Sequence, residues 1–151
     1  MAFPTFSGER SLELGNPGKM RESLNQLVLS GAKQATAALW DLYLEEGESL
    51  EAEGELIWLL DSALLPVAQL EVIRVDIRKL DQVDLNFVHA EGEGFEDLAG
   101  WVKQQRAYWS ATAEPEMQAA GHEGWRITNE TLVVCLWFRL IDRDADSLTS
   151  N

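Results

Sequence analysis

Apolar positions first recur at helical spacing at Met20, Leu24, Leu27 and Val28, one face of an amphipathic helix. Asn16 is a favourable N-cap for it, Pro17 suits the first helical position, and Gly31 reads as the stop. The chain should then run extended over residues 33–38, and residues 39–44 predict a short helix ending before Gly47. Residues 55–60 read as a strand. From 66 to 77 polar and apolar residues partly alternate, the mark of a long strand. Its phase slips between Glu71 and Arg74, which predicts a bulge or bend.

Two further helices are predicted, over 81–90 and 95–111, separated by the helix-breaking run Glu91-Gly92-Glu93-Gly94. On the second, Leu98, Trp101, Val102, Gln105 and Trp109 share one face. Residues 114–124 read as a loop with room for one helical turn, and 131–141 as a closing strand. Residues 1–12 read as a loose arm, 13–142 as a single domain and 143–151 as a flexible tail. Strands and helices mix irregularly rather than as βαβ units, so the fold class is α+β.

Charge narrows the function. The 151 residues carry 26 acids against 12 bases, a formal net charge of -14. Residues 41–55 hold seven acids and no base, the pattern of a solvated face. Phosphate neutralisation by cations supplies much of the affinity for long nucleic acids, so this balance disfavours general binding of them. A neutral or cationic small ligand is not disfavoured. No membrane span or signal peptide is expected, which points to the cytoplasm. The lone Cys135, inside an apolar run, reads as a buried core thiol.

Familiar catalytic signatures are missing. There is no Gly-x-Ser-x-Gly elbow and no phosphate-binding glycine loop. His89 and His122 lack metal-type spacing, so neither a metal nor another cofactor is expected. What stands out is Gly31-Ala32-Lys33-Gln34-Ala35-Thr36, a lysine and a threonine among small neighbours. A threonine hydroxyl becomes a nucleophile when a base takes its proton. A crowded lysine can serve as that base, and a carboxylate such as Glu91 or Glu93 can hold it or move its proton. The same residues also suit a plain turn into a strand. Trp58, Trp101, Trp109 and Trp137 read as core. Trp40 and Tyr43 are candidates for a pocket wall, with core packing equally open for Trp40.

The order of these parts resembles the ASCH domain family: a helix, Gly31-x-Lys33-x-x-Thr36, strands, His89-Ala90-Glu91-Gly92-Glu93-Gly94, a helix bearing Trp101 and Arg106-Ala107-Tyr108-Trp109, and a strand through Val133-Val134-Cys135. The resemblance spans about residues 16–141. It implies a PUA-like curved β-barrel with flanking helices and RNA-related work. It also implies that Lys33, Thr36 and Glu93 match the catalytic residues of small bacterial amidohydrolases that deacetylate acetylated cytidine. Trp40, Tyr43, Arg106 and Glu91 would bind the nucleoside-like ligand. Those enzymes carry an arginine two residues after the threonine, where this chain has Ala38. The alternatives are a non-catalytic RNA or nucleotide binding module, using Lys33, Arg74, Arg78, Lys103 and Arg106 as a basic groove, and a metal-dependent ribonuclease.

Overall fold

A computed structural model of the chain describes residues 5–6 and 8–141. The expected tail at 143–151 lies outside the described residues. The sheet elements are β1 (Thr5–Phe6), β2 (Glu9–Leu12), β3 (Ala35–Leu39), β4 (Leu56–Leu60), β5 (Pro66–Lys79) and β6 (Leu132–Leu140). The helices are α1 (Lys19–Leu29), α2 (Trp40–Glu46), α3 (Leu85–Ala90) and α4 (Leu98–Ala119). The class is therefore α+β. The six strands pair in the order β1-β2-β4-β5-β6-β3, and this ladder ends at β1 and β3 among the described residues.

Strand β6 lies between β5 and β3, antiparallel to both, and is buried on both faces. That burial explains its nearly unbroken apolar run. Val133 and Cys135 face a cluster with Phe87, Trp101 and Trp109 beneath α3 and α4. Leu136 and Phe138 face a second cluster with Leu14, Val28 and Leu59 beneath α1. Phe87 meets Trp101 and Trp137 edge-on, at centroid distances of 6.1 and 5.6 Å. Cys135 is buried in this core, and burial, ahead of nearby Glu91, pushes its thiol up to about 12, which leaves it unreactive at neutral pH. The long strand β5 changes register against β6 between Val72 and Arg74, where the alternation slips.

Four expectations change. Residues 9–12 are not a loose arm: β2 runs parallel to β4, with Ser11 opposite Trp58. Helix α1 starts two residues later than Pro17, because Gly18 at φ 103° takes the N-cap position and Asn16 offers its carbonyl to the Arg21 amide instead. The helix expected over 81–90 divides into a 3-10 turn at Leu80–Gln82 and α3, whose Asp84 cap accepts from the Asn86 amide at 2.9 Å. Helix α4 continues through Pro115 to Ala119 where a loop was expected from 114. Ala113 and Met117 on either side of Pro115 are buried, and their packing outweighs the backbone hydrogen bond that the proline forgoes.

Candidate active site

The turn out of α1 delivers the lysine. Gly31, at φ 85°, donates its amide to the Val28 carbonyl at 3.0 Å, and the Lys33 amide reaches back to Leu27 at 2.9 Å. The chain then enters β3, which carries Thr36. The loop after α3 is pinned against this turn, with the Gln34 amide donating to Ala90 O at 2.7 Å. Gly92 sits at φ 68°, and a Cβ there would lie 2.2 Å from the Ala32 carbonyl oxygen. Only glycine permits that backbone approach, and the approach brings the carboxylates on either side of it to the lysine.

Lys33 is 2% exposed. Its Nζ donates to Glu93 Oε2 at 2.8 Å, to Glu91 Oε2 at 3.3 Å and to the Glu91 carbonyl at 3.3 Å. Glu91, also 2% exposed, accepts from the Ala37 amide at 3.2 Å and from the Trp101 indole at 2.5 Å. Burial holds the Glu91 carboxyl above the usual range; the neighbouring Lys33 opposes that shift and the Glu93 charge adds to it. Glu93 is the more open of the pair, its side chain 24% exposed against 3% for Glu91.

Lys33, Thr36, Glu91 and Glu93 line one cavity of about 80 Å³. Its other walls come from Leu14 and Gly15, from Met20 and Leu24 of α1, and from Gln104, Gln105, Tyr108 and Trp109 of α4. The buried Arg21 guanidinium fixes one wall by donating to the Leu14 carbonyl at 3.0 Å and the Gly15 carbonyl at 3.1 Å. Thr36 is 8% exposed, and its hydroxyl has no hydrogen-bond partner among the described residues. The arrangement thus combines an unengaged hydroxyl, a buried lysine and a carboxylate hydrogen-bonded to that lysine.

The other residues singled out in the sequence lie elsewhere. Tyr43 is buried on α2 with its hydroxyl donating to Glu51 at 2.8 Å, and Trp40 packs beside it at a centroid distance of 5.9 Å. Neither lines the cavity. Arg106 donates to Asn129 at 3.0 Å and borders a separate, open groove of about 730 Å³ along α4, with Leu98, Ala99, Val102 and Lys103. Arg74 and Arg78 both face Asp76 on β5, at 2.6 and 3.9 Å. The five cations therefore do not form the single basic groove that the binding-module alternative expects. Among the described residues no group of three or more His, Cys, Asp or Glu is arranged to hold a metal ion. Nor is any described helix long and apolar enough to cross a membrane.

Sequence reasoning left out Trp101 as the partner of Glu91, and Gln105 and Tyr108 as cavity walls. The available signal was Gln105 itself, a polar residue on an otherwise apolar helix face one turn beyond Trp101.

An α+β domain with a buried Lys-Glu-Glu cluster beside a threonine, at the junction of a helix exit and a sheet, is the class of protein that fold and site define. The chain belongs to the ASCH domain family, whose model matches residues 10–142. No curated protein matches it. Among solved structures it is similar to a protein from Enterococcus faecalis V583, with 25% identity and a TM-score of 0.76 over 97% of this chain and 83% of that one. It is also similar to an ASCH domain from Lactobacillus crispatus JV V101, with 26% identity and a TM-score of 0.67 over 80% of this chain and 71% of that one. These neighbours support a PUA-like fold.

Proposed function

We propose that this ASCH domain hydrolyses an amide on a small, neutral, RNA-related ligand of the acetylated-nucleoside type. The observation that carries the reading is the convergence of Lys33, Thr36 and Glu93 on one cavity, with Lys33 Nζ 2.8 Å from Glu93. Glu93 takes a proton from Lys33, and the freed amine takes the proton of the Thr36 hydroxyl. The threonine oxygen bonds to the amide carbonyl carbon. The carbon–nitrogen bond then breaks, and Lys33 returns a proton to the leaving amine. Water hydrolyses the acyl-threonine by the same route, releasing a carboxylic acid and restoring the hydroxyl.

Two features favour a small neutral substrate. The net charge of -14 and the dispersed cations work against a polyanion, which places RNA binding and ribonuclease activity behind hydrolysis of a small molecule. The cavity, about 80 Å³, is smaller than the roughly 300–1,000 Å³ of pockets that swallow whole ligands. It accepts the acyl end, while the ring rests across the mouth. The resemblance drawn from the sequence implies the same three residues.

Incubation with acetylated cytidine, followed by chromatography of released cytidine, tests this. Wild type is expected to turn over, with Lys33→Ala and Thr36→Ala each slower by about 100-fold or more. No turnover by wild type, or equal turnover by Lys33→Ala, overturns the reading.

A further inference from the structure

All three donor positions of Lys33 are engaged, by Glu93, the Glu91 carboxylate and the Glu91 carbonyl. Glu91 accepts in turn from Lys33, Ala37 and Trp101, and Glu93, the more open acid, accepts from Lys33. A hydrogen-bond donor for a ligand must therefore come from a neutral side chain. The remaining polar side chains on the wall are Thr36, Gln104, Gln105 and Tyr108. Tyr108 reaches Asn16 at 3.5 Å and Gln104 is exposed. Gln105 is half-buried, and its carboxamide has no hydrogen-bond partner among the described residues.

A half-buried carboxamide with no protein partner, on the wall of a cavity, is free to pair with a ligand through both its donor and its acceptor. The helix geometry agrees. Trp101 is anchored to Glu91, and Gln105, four residues on, lies on the same face of α4 one turn further along. A carboxamide presents an acceptor beside donors. That pair complements an edge on which a ring nitrogen acceptor adjoins an exocyclic N–H, and glutamine reads adenine by the same bidentate pattern.

We propose that Gln105 determines ligand specificity, reading the ring edge beside the scissile amide: its NH2 donates to the ring nitrogen and its oxygen accepts from the exocyclic N–H. The ligand class, a cytosine-type nucleoside, rests on the proposed function above; the unspent carboxamide does not. Cytidine itself, lacking the acyl group, carries this edge and probes recognition apart from chemistry.

The experiment is titration of cytidine into the full chain by calorimetry, in parallel with the turnover assay. Wild type is expected to bind cytidine, and both Gln105→Leu and Gln105→Asn to weaken binding by about 10-fold or more. Lys79→Ala, at the exposed end of β5, serves as the control and is expected to bind as wild type does. Two variants guard against a simple folding defect, which circular dichroism detects. Absence of cytidine binding by wild type, or equal binding by Gln105→Leu, overturns the assignment. Turnover of acetylated cytidine with binding unmoved by Gln105→Leu overturns the role of Gln105 and leaves the hydrolase reading standing. Binding that Gln105→Leu abolishes, without any turnover, supports Gln105 and overturns the hydrolase.

Discussion

Glu91 illustrates how one residue joins stability to chemistry. Its carboxyl is buried against an indole and a backbone amide, with a lysine as the charged partner. Burial raises its proton affinity in the folded state above the ordinary value of 4.5. A carboxyl raised in this way stabilises the fold at low pH, and the contribution is lost as pH rises through the raised value. The melting temperature of wild type relative to Glu91→Gln should therefore be highest at and below about pH 4.5 and should decline as the pH rises above it. Melting curves followed by circular dichroism across that range measure it, and a flat difference would show that the carboxyl is not perturbed. Both acids were visible in the sequence, but their division of labour was not. Glu91 and Glu93 differ by two positions in a loop, and only packing against Trp101 and the β3 backbone makes one of them the buried partner.

At the scale of elements, Pro115 shows why the end of α4 could not be read from the chain. Proline inside a helix costs about 3 kcal/mol against alanine, a local cost that favours ending the helix before residue 115. Burial of Ala113 and Met117 overrides it. Replacing Pro115 with Ala should stabilise the protein by about 2 kcal/mol, since restoring the helix outweighs roughly 0.4–1 kcal/mol from a freer unfolded chain. Urea unfolding checks this; an unchanged midpoint would mean that the helix already absorbs the proline without cost. Where local and tertiary preferences agree, the sequence was legible. The phase slip in β5 marked the register change between Val72 and Arg74, and the apolar run of β6 marked a closing strand.

Across the whole molecule the dominant feature is charge. A net charge of -14 on a chain of 151 residues imposes self-repulsion on the compact state. The Arg10 guanidinium offsets part of it locally, gathering Glu55 at 2.7 Å and Glu48 at 3.5 Å where the acidic stretch folds back on β2. Screening should relieve the remainder, so the melting temperature is expected to rise as NaCl increases from about 0.02 M to about 0.2 M. A fall over that range, read by differential scanning calorimetry, would mean that ion pairs such as those of Arg10 outweigh the repulsion.

By itself the sequence determined the α+β class, most of the elements, the burial of Cys135 and the presence of a lysine and a threonine in a turn of small residues. These follow from periodicity, glycine positions and composition, which act over a few residues. What only the tertiary structure decided was that Lys33 meets a carboxylate sixty positions away, that Trp101 and the Ala37 amide fix the buried acid, and that Gln105 faces the same cavity unspent. The physical reason is the close backbone contact at Gly92, which joins two distant loops over Gly31-x-Lys33-x-x-Thr36 and turns a polar pair into a site.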